Sequence, residues 1–262
     1  MDESRRQFLK IAGLSVLGLG AKPAADAVAA GESSKFEPDK KALKAKRWAM
    51  VVNQKKCAQA KPGCVDCVEA CNLAHNIPKF DNPKDEVKWI WRAPFENAFP
   101  GQSNEAIEDY IKKSLNNTPF MVLCNHCDNP PCVRVCPVQA TFRRPDGIVV
   151  MDYHRCIGCR FCMAACPYGA RSLNWRDPRP NIQKENPDFP TRTRGVVEKC
   201  NFCSERLAVG QPPACVAACK DKALIFGDLE DPNSEIREVL RTNSTIQRKP
   251  QLGTRPEVYY IL

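Results

Sequence analysis

The chain has 262 residues, 43% of them hydrophobic, enough for one or two domains with a real core. Its formal charge of +9 taken alone points to nucleic acid or anionic lipid, but no basic helix or aromatic stacking motif accompanies it, which argues against a nucleic-acid partner. Sixteen cysteines beside 13 glycines and 22 prolines describe instead a loop-rich protein of short elements in which bound metal replaces part of the core.

At the N-terminus, Ser4-Arg5-Arg6-Gln7-Phe8-Leu9-Lys10 is followed by a modest apolar stretch from Ile11 to Ala21 and by small residues at Ala27-Val28-Ala29. This is the pattern of a twin-arginine export signal. The stretch is short and carries three glycines, so residues 1–30 read as a signal peptide cleaved near residue 29 or 30 rather than as a membrane anchor. The alternative is a basic tail. The twin-arginine route moves folded proteins, which suits metal insertion in the cytoplasm before export to the periplasmic side of the cytoplasmic membrane. No later stretch is long and apolar enough to cross a bilayer, so membrane contact needs a partner.

Lys46 to Asn53 reads as a strand feeding a first cysteine quartet, Cys57, Cys64, Cys67 and Cys71. Residues 72–119 form a long insert, with Trp89, Trp91 and Phe95 as packing residues in an irregular part and Glu105 to Leu115 as an amphipathic helix. The strand Phe120 to Leu123 leads into Cys124, Cys127, Cys132 and Cys136, and the strand Ile148 to Met151 leads into Cys156, Cys159, Cys162 and Cys166. Residues 174–195, rich in Pro, Arg and Asn, read as an exposed loop. Cys200, Cys203, Cys215 and Cys219 complete the set, followed by a strand from Ala223 to Phe226. The recurring unit is a short strand beside a cysteine loop with a short helix after the last cysteine, an internal repeat.

The third quartet reads C-I-G-C-R-F-C-M-A-A-C-P, the C-x2-C-x2-C-x3-C-P run with which bacterial ferredoxins hold a 4Fe-4S cluster. Three thiolates two residues apart wrap one corner of a cubane only if the backbone curls tightly, which Gly158 eases. The fourth cysteine ligates the other cluster of a pair, so the motif predicts a partner run, and the second quartet is that run. The outer quartets are looser, with six residues between Cys57 and Cys64 and eleven between Cys203 and Cys215, yet each keeps one C-x2-C and ends in C-x3-C. Four oxidised clusters at about −2 each bring roughly −8, close to cancelling the basic excess. Two other uses of cysteine stand beside this one. A disulfide framework is common in exported proteins but has no need of such tight runs. Zinc ribbons use separated C-x2-C pairs and do not need the third cysteine or the terminal C-x3-C-P.

Taken together, the motifs resemble the four-cluster electron-transfer subunits of the DMSO reductase and polysulfide reductase type. The residues that carry the resemblance are Cys124-Asn125-His126-Cys127 with Pro130-Pro131-Cys132, then Cys156-Ile157-Gly158-Cys159, Lys199-Cys200-Asn201-Phe202-Cys203, Pro213-Ala214-Cys215 and Phe226-Gly227-Asp228-Leu229. To these the tail adds Leu252-Gly253-Thr254-Arg255-Pro256 before Val258-Tyr259-Tyr260. The resemblance implies an α+β fold of two bacterial-ferredoxin-like double-cluster modules with long loop insertions. One module spans 120–173 and the other 47–80 with 196–230, inside a domain of 47–262 with an insert at 81–119 and a tail at 231–262. It implies crossed ligands: Cys124, Cys127, Cys132 and Cys166 for one cluster; Cys156, Cys159, Cys162 and Cys136 for its neighbour; Cys57, Cys64, Cys67 and Cys219 for a third; and Cys200, Cys203, Cys215 and Cys71 for the fourth. It also implies a partner, an integral membrane quinone-interacting subunit of the NrfD or DsrP type, with an exported multihaem cytochrome c of the DsrJ kind as a second contact. Within the family, the export signal and the His75-Asn76-Ile77-Pro78 segment suit the exported subunit of Dsr-type membrane complexes. Two departures stand out: the long gap makes Cys57 the least secure ligand, and Lys220 replaces the proline that commonly follows the last cysteine.

Iron fully ligated by cysteine leaves no coordination site for a substrate, so the chain reads as a wire for single electrons, not as an enzyme by itself. No C-x-x-C-H attaches a haem and no glycine-rich nucleotide loop follows a strand. His75, His126 and His154 read as hydrogen-bonding or packing residues, with His126 placed to tune a cluster, and no catalytic residue is assigned. A non-redox zinc-binding interaction module and a catalytic cluster at the first quartet are the readings from other classes.

Overall fold

The computed structural model describes residues 39–262, and the expected export signal at 1–30 lies outside the described residues. The chain begins with β1 (Trp48–Asn53), α1 (Gln54–Gln59) and α2 (Asp66–Ala74), then β2 (Ile90–Ala93), α3 (Phe95–Ala98) and α4 (Glu105–Ser114). It continues through β3 (Phe120–Leu123), α5 (Pro131–Arg134), β4 (Thr141–Arg143), β5 (Val149–Met151), α6 (Phe161–Ala165), β6 (Ser172–Leu173) and β7 (Val197–Glu198). The last elements are α7 (Ser204–Ala208), α8 (Ala214–Ala218), β8 (Leu224–Asp228), α9 (Glu235–Thr242) and β9 (Val258–Ile261).

The sequence W-A-M-V-V of β1 is apolar throughout because the strand is central in its sheet and covered on both faces. It pairs antiparallel with β8, Val52 opposite Leu224, and parallel with β9, Met50 opposite Val258. On one face Trp48 stacks on Phe226 with ring centroids 4.8 Å apart. On the other, Ala49, Val51 and Ile225 pack on Ile236 of α9. A side chain at Gly227 would meet Ile236 Cγ2 at 3.0 Å, so glycine is what lets the helix lie this close. The sheet therefore ties the approach to the first quartet to the exit from the fourth, which brings the outer cysteines together.

Helix α4 is capped as its sequence suggests: the Asn104 carboxamide accepts from Ile107 N at 3.0 Å, with acids in the first turn and lysines in the last. Three expectations need correction. The segment around Trp91 is not irregular, since β2 pairs antiparallel with β3, Ile90 opposite Leu123. A four-residue strand made by a partner 30 residues away leaves no readable period of its own. Residues 174–195 are only partly an exposed loop, because Asn174, Phe189 and Arg192 are buried. Phe189 packs edge-on against His75 and Trp89, and Arg192 pairs with Glu198 at 2.7 Å with both side chains fully buried. Finally, in the second, third and fourth quartets the short helix precedes the last cysteine instead of following it, and in the first it contains that cysteine. Cys166 and Cys219 are the C-caps of α6 and α8, Cys136 lies just beyond α5, and Cys71 lies inside α2. Three intervening residues make about one helical turn, so C-x3-C places the fourth thiol one turn, about 6 Å, along from the third.

Candidate metal centres

Three of the four cysteine loops share a backbone device. The residue before the second cysteine of C-x2-C has positive φ at Gly158 (+67°), His126 (+42°) and Phe202 (+53°). At Gly158 nothing else fits, because a Cβ would lie 2.2 Å from Gly195 O. His126 and Phe202 take the strained conformation and stack on each other at 3.7 Å, so one ring pair bridges the second and fourth cysteine loops.

All sixteen cysteines are free thiols, so no disulfide framework forms. They gather in four groups that mix the quartets. Cys57, Cys64, Cys67 and Cys219 line one cavity; Cys124, Cys127, Cys132 and Cys166 line a second; Cys136, Cys156, Cys159 and Cys162 line a third. In the fourth, Cys215 faces Cys203, Cys71 and Cys200. The mixing follows from helix packing, α2 on α8 and α5 on α6, which delivers the last thiol of each run to the neighbouring loop. Cys57, carried by α1, turns into the first cavity beside Cys219.

The groups lie in a row. Cys67 neighbours Cys215, Cys200 neighbours Cys124, and Cys132 neighbours Cys162, so the first group adjoins the fourth, the fourth the second, and the second the third. Burial follows the same order: Cys71, Cys200, Cys203 and Cys215 are all buried, whereas every thiol of the Cys57 group is partly exposed. At the opposite end only Cys162 of its group is buried.

The donor chemistry fits a multinuclear, anionic metal group. Burial pushes the Cys57 thiol up to about 12, with Cys219 adding to it, the Cys67 thiol up to about 11 and the Cys127 thiol up to about 12. Thiols so placed need metal charge to exist as thiolates. Backbone N–H groups of Ala223, Ala214 and Phe202 point at the sulfurs of Cys219, Cys203 and Cys200 at 3.2, 3.3 and 3.4 Å. His126 Nδ1 accepts from Val149 N at 3.1 Å, and burial, with Lys199 and Arg171 nearby, keeps its pKa well below the usual range. The ring is therefore neutral with its proton on Nε2, which is buried with no partner among the described residues, as is the Asn125 carboxamide. Orphaned donors in a cysteine loop suit the sulfides of an iron–sulfur cluster.

His75 is 1% exposed, with Nε2 2.9 Å from Glu205 and Nδ1 3.5 Å from Cys71 Sγ. Burial alone would lower its pKa, but hydrogen bonds to Cys203, Cys71 and Glu205 hold it well above the usual value. His154 is exposed. The polar residues that sequence reasoning missed are Glu205, Arg171 and Lys199. Lys199 abuts Cys200 in the chain, but nothing in a spacing says that a lysine is buried.

Four groups of four cysteines on ferredoxin-like loops define an iron–sulfur protein of the multicluster type. A family model described as a 4Fe-4S dicluster domain matches residues 117–184, and a second of the same description matches 155–224. With sixteen cysteines, two dicluster domains mean four 4Fe-4S clusters. The chain is 41% identical to the Hdr-like menaquinol oxidoreductase iron-sulfur subunit 1 of Archaeoglobus fulgidus, over 98% of this chain and 97% of that one. It is 36% identical to a subunit of the tetrathionate reductase of Salmonella typhimurium, over 100% of this chain and 89% of that one. It is 34% identical to protein NrfC of Escherichia coli, over 100% and 96%. The chain belongs to this family of iron–sulfur electron-transfer subunits of respiratory oxidoreductase complexes. No helix among the described residues is long and apolar enough to cross a membrane.

Proposed function

We propose that the protein is an exported electron carrier in which each of the four mixed cysteine groups holds one 4Fe-4S cluster, arranged as two double-cluster modules. The clusters, when bound, supply reversible one-electron transfer. The observation that carries the reading is the row of cysteine groups, buried in the middle and partly exposed at both ends. Such a row admits electrons at one surface and releases them at another.

The two ends suit different neighbours. Ile157 (65% exposed) and Phe161 (60%) stand over the Cys156 group, with Trp175 against Arg160 beside them. Exposed apolar side chains in one place fit a protein interface, and the partner we propose is a membrane quinone-interacting subunit of the NrfD or DsrP type. The Cys57 end carries exposed Lys56, Lys61, Lys220 and Lys222 instead, suited to a second redox protein such as a multihaem cytochrome c of the DsrJ kind. The finer identity we propose is the DsrO type of exported subunit, on the strength of the N-terminal signal pattern. A subunit of a molybdopterin reductase is the second reading, favoured by the likeness to a tetrathionate reductase subunit.

Anaerobically purified mature protein is expected to hold about sixteen iron and sixteen labile sulfide per chain, with interacting EPR signals after dithionite. Zinc without sulfide would overturn the reading. Expression of the full chain in a host with and without a functional twin-arginine system tests export: retention in the cytoplasm of both would remove it. Lys220 lines the Cys57 cavity, and a cation there favours the reduced cluster. Lys220→Pro is therefore expected to lower that cluster's midpoint potential, and a redox titration that shows no change would dismiss the lysine's part.

A further inference from the structure

Two buried cations stand in the gaps between successive cysteine groups. Arg171 is 5% exposed and lines the Cys124 cavity. The same guanidinium donates to Thr141 Oγ1 and Met151 Sδ, each at 3.1 Å, and both of those residues line the Cys156 cavity. One of its nitrogens, Nη2, is buried with no partner among the described residues. Lys199 is 1% exposed and precedes Cys200 of the fourth group. Its ammonium donates to Cys200 O at 2.7 Å and to the carbonyl of Val149, a residue of the Cys124 cavity wall. Arg171 thus separates the second group from the third, and Lys199 separates it from the fourth.

Neither cation has a carboxylate partner among the described residues, although the buried Arg192 nearby has Glu198. A buried charge without a counter-ion is costly enough that something anionic must face it. A cluster with four thiolates carries about −2 when oxidised and about −3 when reduced, and the cations meet that charge on both sides of one site. The Asn125 and His126 donors left without partners belong to the same cysteine loop. The cations of the Cys57 group, by contrast, are its surface lysines, which water screens, and the partly exposed Arg92 of its cavity wall, while His75 beside Cys71 of the fourth group has Glu205 as its counter-ion.

We infer that Arg171 and Lys199 are positioning residues that set the potentials along the row, and that they make the cluster of Cys124, Cys127, Cys132 and Cys166 the most readily reduced of the four. Each reduction adds one electron to one cluster, supplied in the titration by dithionite, with no bond made or broken. A high-potential site inside the row holds an electron away from solvent between its arrival at one end and its departure at the other. The inference rests on the ligand grouping proposed above.

The test is an EPR-monitored redox titration of the full four-cluster chain and its variants, each with iron and sulfide counted first. The component with the most positive midpoint should be altered by Cys124→Ser and untouched by Cys57→Ser. Arg171→Gln and Lys199→Gln, which keep an amide donor and remove the charge, should each move that component to lower potential, and Arg171→Lys should restore most of the shift. If the most positive component survives Cys124→Ser unchanged, the inference fails whatever becomes of the charge variants. Unaltered midpoints in a fully loaded Arg171→Gln and Lys199→Gln pair would also overturn it. A wild-type chain short of iron and sulfide would instead sink the cluster reading on which it stands.

Discussion

Cys166→Ala is expected to damage the cluster of the second quartet and leave that of the third intact, although Cys166 belongs to the third quartet in sequence. The reason is geometric. Cys166 caps α6, one turn beyond Cys162, and lines the cavity of Cys124, Cys127 and Cys132, while Cys162 stays with Cys156 and Cys159. The reciprocal exchange places Cys136, after α5, with the third quartet. Cys166→Ala and Cys124→Ala should therefore give the same EPR difference spectrum, and Cys136→Ala should match Cys156→Ala. Each variant should lose between about one iron, where a three-iron remnant survives, and about four. A Cys166→Ala spectrum that matched Cys156→Ala would show that the ligands do not cross. The same design applied to Cys71 and Cys219 tests the outer pair, whose exchange depends on α2 packing on α8.

The second large effect is expected at Arg192. Its guanidinium pairs with Glu198 at 2.7 Å, donates to His75 O at 2.5 Å and Asn76 O at 3.0 Å, and lies 5.8 Å from the centroid of the Trp89 ring. Glu198 in turn accepts from Trp89 Nε1 at 3.0 Å and Asn174 Nδ2 at 2.5 Å. This network pins the insert and the 174–195 segment against the end of α2, beside the Cys71 group. Removing one member of a fully buried pair strands the other charge, at a cost of about 3–5 kcal/mol. Arg192→Ala should lower the melting temperature by roughly 6–20 °C in anaerobic thermal denaturation followed by cluster absorbance. Arg192→Met with Glu198→Leu should lose much less, because no uncompensated charge remains. A single variant that melts with the wild type would show that water reaches the carboxylate. Early bleaching of one cluster, the one nearest His75, is the expected accompaniment.

What the sequence determined by itself is the chemistry. Thiolate spacing of two, two and three residues is set by the reach of a tightly curled backbone, so C-I-G-C-R-F-C-M-A-A-C-P carries its meaning locally, and dicluster family models match the same stretch. The strands at Trp48–Asn53 and Phe120–Leu123 and the helix at Glu105–Ser114 were legible for the same reason, being long enough or apolar enough to show their own pattern. Only the tertiary structure decided that Ile90–Ala93 is a strand, since its hydrogen bonds come from β3, and that Arg192 is buried, since its partners His75 and Glu198 arrive from other segments. The row of cysteine groups is of the same kind, because its order rests on thiols meeting across helices remote in sequence. The placement of Arg171 and Lys199 between those groups follows from the same packing: a charged residue reads as surface until the chain folds over it, and only then does its field fall on a cluster.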